Sequence, residues 1–257
     1  MSRNIKGLLI DLDGVIYNDN RLIPGAVNTI RELRKLKIPF RFITNTTMKC
    51  RETILVKLKN FGIQIETNEI FSAAYAAARY VSQFPNAKCH LMLLDDAKKE
   101  FYGMGSTDLK VDFVVAGDLG KLINFNILND AFIRLMEGAE LIALQKNRYW
   151  LSDRGLTLDA GAFIALLEYA SNKQAVLIGK PEKKFFELAL NDLKLSPQEV
   201  LMIGDDIESD ISGAAAMKIN TCLVQTGKYR KAEADHYPVK PDYQIPSIAE
   251  VLSIDLF

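Results

Sequence analysis

Four short apolar runs punctuate the chain, at 5–10 (IKGLLI), 40–43 (FRFI), 175–178 (AVLI) and 200–203 (VLMI). Their length and their β-branched and aromatic content predict buried strands. Each gives way within two residues to a polar side chain: Asp11, Thr44, Lys180 and Asp205. Helical periodicity follows these runs. Ala26, Val27, Ile30 and Leu33 share one helix face. Pro181 stands where a first helical turn would start, and Phe185, Phe186, Ala189, Leu190 and Leu193 continue an apolar face. Ile211, Ala214, Ala215 and Lys218 predict a third helix. Strand–helix alternation of this kind predicts an α/β fold built on a Rossmann-like parallel sheet. Ligands of such sheets bind beyond the carboxyl ends of the strands, so the four polar endings are expected to converge.

The middle of the chain repeats the alternation. Strands are predicted at 90–94, 113–116 and 141–144, and helices at 127–136 and 161–170. The reading is an inserted second α/β domain over 78–174, with 1–77 and 175–257 forming the core domain. The charged stretch 228–243, with its two prolines, reads as a surface loop.

Composition narrows the chemistry. The chain has 257 residues, 49% hydrophobic and 25% charged, enough for a sizeable core without metal or disulfide staples. Lys plus Arg equals Asp plus Glu at 32 each, so no net field draws the chain to nucleic acid or to an anionic membrane. No apolar run approaches the roughly 20 residues of a membrane helix, and the N-terminal MSRNIKGLLID meets an acid too early for a signal peptide. Cys50, Cys89 and Cys222 form no CxxC pair, which predicts buried reduced thiols in a cytoplasmic protein. With only His90 and His236 present, carboxylate chemistry is favoured over a histidine-based triad.

Asp11 and Asp13, in DLDGV, lie two apart in extended chain and so point to the same side, and Gly14 allows a sharp turn after them. An N-cap or a solvated turn explains this pair equally well. Asp205, Asp206 and Asp210, in GDDIESD, repel one another when ionised without a cation. A helix start accounts for one or two of these acids but less well for three. Such an oxygen-rich cluster suits Mg²⁺. Lys180, a surface lysine in most contexts, would here offset the charge of Asp11 and bind a phosphate oxygen. Thr44 and Asn45, in ITNTT, can grip a phosphate oxygen, while Thr46 or Thr47 caps a helix.

The ordered set DLDG, FITNTT, VLIGKPEKKFF, LMIGDDIESDISGA and VQTGKYR resembles the haloacid dehalogenase superfamily across nearly the whole chain, in the subclass IIA group with a large C2-type α/β cap between its second and third motifs. The resemblance implies a Mg²⁺-dependent phosphatase acting on a small phosphorylated metabolite: a phosphate monoester, a phosphoamino compound or pyrophosphate. It implies Asp11 as nucleophile, Asp13 as general acid and base, and Mg²⁺ held by Asp11, the carbonyl of Asp13 and Asp205. Thr44, Asn45 and Lys180 would hold phosphate, and Asp206 and Asp210 would orient metal-bound water or Lys180. The cap would select substrate and can mediate a homodimer. Within the cap, Asp159 reads as an N-cap, Gly161 as a packing glycine, Arg148 as a surface residue and Trp150 as packing. A phosphotransferase or dehalogenase on the same fold and a non-catalytic binding protein are the competing readings. The acid cluster and Asp13 count against the dehalogenase.

Overall fold

A computed structural model describes residues 4–152 and 155–254, with the side chains of 150–152, Trp150 among them, also outside the described set. The chain divides into two compact units. The first comprises Met1–Thr44, Ile54–Phe71 and Lys180–Phe257, and the second Asn45–Thr53 and Ser72–Gly179.

The first unit is built on a six-stranded sheet. Its order is Tyr243–Ile245, Asn220–Val224, Val200–Gly204, Gly7–Asp11, Phe40–Thr44 and Ile70–Ser72. The first five strands run parallel, and all five residues of both Gly7–Asp11 and Val200–Gly204 are buried. That explains why their sequences are uninterrupted apolar runs: a parallel sheet is covered on both faces. The ladder sets Ile10 beside Ile203 and Asp11 beside Ile43. Asp11, Thr44 and Asp205 therefore leave the sheet at one edge and nearly one level. From Gly7–Asp11 the chain proceeds outward in one direction through Phe40–Thr44, and from Val200–Gly204 in the other through Asn220–Val224. Between these two central strands lies the reversal point at which α/β sheets bind ligands.

Helices cover the sheet as their periodicity predicts. Ala26–Lys35 buries Ala26, Ile30 and Leu33, and Lys183–Leu193 buries Phe185, Phe186, Ala189, Leu190 and Leu193. Pro181 lies before the second of these, which starts at Lys183 after Glu182 at the N-cap. The third helix differs more from its expectation. Ile207–Ser212 is a π-helical turn, only Gly213–Ala216 continues as α-helix, and Lys218 sits in the left-handed region at φ 61°. Asp206 caps this turn at the Glu208 and Ser209 N–H groups, and Asp210 accepts the Asp206 N–H. The stretch read as a surface loop holds the Lys231–His236 helix and ends on the first residue of the Tyr243–Ile245 strand.

The second unit has its own parallel sheet, in the order Val176–Leu177, Glu140–Ala143, Phe113–Ala116 and Cys89–Met92. The apolar run at 175–178 thus pairs here, with Ile142 and Ala143, and not in the six-stranded sheet. It is a two-residue, half-buried edge strand, and a strand that short carries no sequence mark of which sheet it joins. Its longer helices among the described residues are Ala73–Val81, Phe125–Met136 and Ala160–Ser171. Asp159 caps the latter by accepting from the Ala160 N–H, and a Cβ at Gly161 would meet the Asn147 carbonyl at 2.4 Å. Among the described residues no helix is long and apolar enough to cross a membrane. All three cysteines are buried and free, and burial pushes Cys89 and Cys222 up to about 12.

Candidate active site

At the carboxyl edge of the six-stranded sheet, strand ends bring three buried carboxylates together. Asp11, Asp205 and Asp210 each offer an oxygen within 4.8 Å of the others. Asp11 is the last residue of its strand and Asp205 follows directly on Gly204. Asp210 reaches the cluster because its turn opens over Gly204, where any Cβ would overlap the Asp210 side chain.

Lys180 enters the cluster from the other side. Its Nζ donates to Asp11 Oδ1 at 2.7 Å and to Asp210 Oδ1 at 2.6 Å, and its side chain is only 4% exposed. Desolvation opposes its charge, but Asp11 and Asp210 outweigh that and hold the ammonium protonated far above its usual range. The carboxyls shift upward too, which for them favours the neutral form. Burial pushes Asp11 up, with Lys180 pulling it back. Burial, reinforced by Asp11 and Asp210, raises Asp205 to about 8. Burial also raises Asp210 to about 7 against the pull of Lys180. With all three carboxylates ionised, the form a bound cation would favour, the one buried ammonium leaves two formal negative charges uncompensated, which one divalent cation balances. The donor set is entirely carboxylate oxygen, the chemistry that Mg²⁺ and Ca²⁺ take. The residues present therefore fit a divalent metal.

Asp206 and Asp210 have further tasks. Asp206 Oδ1 accepts the N–H groups of Glu208 and Ser209, capping the π-helical turn, and its other oxygen pairs with Lys228 at 3.2 Å. Asp210 Oδ2 accepts the Asp206 N–H at 3.2 Å. With both oxygens engaged, Asp210 orients Lys180 and the loop. Asp13 is exposed and lies just past the cluster, bridged to Tyr17. Desolvation raises its carboxyl above the ordinary range, against the pull of Lys57. Thr44 is buried, one residue beyond the Asp11–Ile43 pair. Asn45 is the first residue of the second unit, where a Cβ at Gly179 would come within 3.0 Å of its Oδ1.

Sequence reasoning missed Lys228, which it placed in a surface loop. Its backbone N–H donates to Asp205 Oδ2 at 2.6 Å and its ammonium pairs with Asp206. The available signal was a fifth polar strand ending, QTGK after TCLV, on a strand too mixed in composition to stand out. It also missed Lys57, whose ammonium sits 3.9 Å from the Tyr17 ring centroid and acts on Asp13. Of the two histidines, His236 serves its own helix, its Nδ1 lying 2.7 Å from the Ala232 carbonyl.

Comparison with known proteins agrees with this arrangement. A family model described as haloacid dehalogenase-like hydrolase matches residues 8–107, and a second, HAD-hydrolase-like, matches 177–251. The chain is 37% identical to haloacid dehalogenase-like hydrolase domain-containing protein 2 of Mus musculus, over 91% of this chain and 89% of that protein. It is 34% identical to phospholysine phosphohistidine inorganic pyrophosphate phosphatase of Danio rerio, over 96% and 93% of the two chains. Among solved structures, p-nitrophenyl phosphatase from Archaeoglobus fulgidus superposes with a TM-score of 0.91 at 27% identity, covering 97% of this chain and 99% of that one.

Proposed function

The chain belongs to the haloacid dehalogenase-like hydrolases, and from that premise we propose that it is a divalent-cation-dependent phosphatase of small phosphorylated metabolites, working through an aspartyl-phosphate on Asp11. One observation carries the reading: Asp11, Asp205 and Asp210 lie buried within 4.8 Å of one another, with a single ammonium, Lys180, bonded to two of them. A solvated structural cluster would not need such burial, whereas a site for a cation and a phosphoryl group does.

In the first half-reaction a carboxylate oxygen of Asp11 forms a bond to phosphorus as the bond to the leaving oxygen or nitrogen breaks. Asp13 gives its proton to that leaving atom. Its raised carboxyl suits the task, because an acid protonated closer to neutrality is a better proton donor. In the second half-reaction Asp13 takes a proton from water, whose oxygen attacks phosphorus and releases phosphate and the Asp11 carboxylate. Lys180 and Thr44 hold phosphoryl oxygens, and Asn45 joins them as the sequence motif implies. Asp11, the Asp13 carbonyl and Asp205 would hold Mg²⁺, which when bound offsets the charge of the transferring phosphoryl group. Asp206 and Asp210 keep the surrounding loop and Lys180 in place. The second unit acts as the cap that chooses the leaving group and joins two chains as a homodimer. The names of the relatives support phosphate esters, phosphoamino compounds and pyrophosphate as the substrates to try first.

The test is phosphate release from p-nitrophenyl phosphate, pyrophosphate and a phosphoramidate by the purified chain. The reading expects EDTA to abolish release and Mg²⁺ to restore it. Full turnover in chelator would remove the cation from the proposal.

A further inference from the structure

The turn that follows the Asn220–Val224 strand closes on Asp205 together with the loop after Asp11. The Lys228 N–H donates to Asp205 Oδ2 at 2.6 Å. Gly227, at φ 62°, packs so closely that a Cβ there would lie 2.0 Å from the same oxygen and 2.4 Å from the Gly14 Cα. Gly14, at φ 86°, flanks the carboxylate from the nucleophile loop, and a Cβ on it would lie 1.9 Å from Oδ2. The Thr226 hydroxyl then donates to the Gly14 carbonyl, tying the two loops together across 212 residues of sequence. Both glycines are needed for space as well as for backbone conformation. Any side chain at either position would push Asp205 off its present line.

We propose that Thr226–Lys228 is a positioning latch that commits Asp205 to coordinate a divalent cation through its single oxygen Oδ1, and thereby favours a small six-coordinate cation over Ca²⁺. The inference rests on the metal-site reading above. Its physical basis is the difference in appetite between the two ions. Mg²⁺ takes one oxygen from each of one or two carboxylates and fills the rest of its octahedron with water. Ca²⁺ takes six to eight oxygens and readily uses a carboxylate through both. An oxygen already bonded to a backbone N–H and wedged between two glycines is withheld from the second mode. Groups that orient a ligating carboxylate in this way typically change metal affinity about 10- to 100-fold when removed.

Thr226 is the residue to change, since it touches no proposed ligand atom and acts only by joining the turn to Gly14. Titration calorimetry of the whole chain with Mg²⁺ alone and with Ca²⁺ alone reads both affinities without any turnover. For Thr226→Val the expected result is Mg²⁺ binding weakened about 10-fold, with Ca²⁺ binding unchanged or tighter, so that the preference for Mg²⁺ shrinks. Thr226→Ser keeps the hydroxyl donor and should retain the wild-type preference, which a general packing defect would not explain. Thr226→Ala gives the same comparison should the valine variant fail to fold. A Thr226→Val protein with wild-type affinities for both ions, or one that loses both equally, overturns the latch. Asp205→Asn separates the two readings. If it binds Mg²⁺ as well as wild type, the metal site itself is wrong. If it loses Mg²⁺ while Thr226→Val does not, only the latch fails.

Discussion

Lys180 is the residue on which the cluster's stability turns. Two carboxylates share its ammonium, and all three side chains are nearly inaccessible to water. Removing one partner from a buried ionic group strands the others, which typically destabilises a fold by about 3–5 kcal/mol. Lys180→Met should therefore lower the unfolding free energy by about 3–5 kcal/mol at neutral pH, with a correspondingly lower urea midpoint. The loss should shrink under acid conditions, where Asp11 and Asp210 take up protons. Urea denaturation at the two pH values checks this, and an unchanged midpoint at neutral pH would mean that the ammonium does not hold the cluster. The same pair of bonds shows why Lys180 was legible in sequence only by position. Nothing in IGKPEK distinguishes a buried lysine from a surface one, and the residue becomes informative only when the acids it would face are known. Lys228 lacked even that context, because its strand, NTCLV, mixes polar and apolar residues.

At the scale of elements, fully buried parallel strands were legible because burial on both faces leaves no polar position to blur them. Gly7–Asp11 and Val200–Gly204 lie where apolar runs predict, Phe40–Thr44 lies where its run predicts despite the half-buried Arg41, and the helices packing on them keep a clean 3.6-residue stripe. The Lys183–Leu193 helix carries two aromatic rings into that core, Phe185 and Phe186, with centroids 5.8 Å apart and both fully buried. Phe186→Ala should destabilise the fold by about 3–5 kcal/mol through lost burial and the cavity left behind. Thermal or chemical unfolding measures that loss, and a change below about 1 kcal/mol would show that the core collapses around the gap. The Val176–Leu177 strand was misplaced because two residues carry too little pattern to say which sheet they join. The Ile207–Ser212 turn was read as a regular helix because Ile211, Ala214 and Ala215 do follow helical spacing. Asp206 caps this turn at the Glu208 and Ser209 N–H groups as it would cap a regular helix, so the π-helical geometry carried no mark in the sequence.

For the molecule as a whole, the buried acids link stability to pH and to metal. Asp205 and Asp210 have folded-state values of about 8 and about 7, above the ordinary 3.8 expected when unfolded. A carboxyl raised on folding favours the native state while protonated, and that contribution is lost as pH rises through the raised value. In chelator the melting temperature should therefore fall between about pH 5 and about pH 8. Saturating Mg²⁺ should remove most of that fall, because a cation bound only by the folded state stabilises it by mass action. Differential scanning calorimetry with and without EDTA reads both curves, and parallel curves would mean that the cluster does not take up a cation. Two of the three acids behind this effect stand in GDDIESD, and the third is Asp11 of DLDG. What sequence could not supply was the geometry of the Lys180 ammonium, which divides its bonds between Asp11 and Asp210 at 2.7 and 2.6 Å.

Everything proposed about the reaction passes through a covalent bond between phosphorus and Asp11. Acid-quenched protein from a reaction with Mg²⁺ and an excess of p-nitrophenyl phosphate, analysed by peptide mass spectrometry, tests that bond directly. The account predicts one added phosphoryl group on the peptide that carries Asp11, absent from Asp11→Asn, which also releases no phosphate. A phosphoryl group on any other residue, or steady phosphate release by Asp11→Asn, would contradict it.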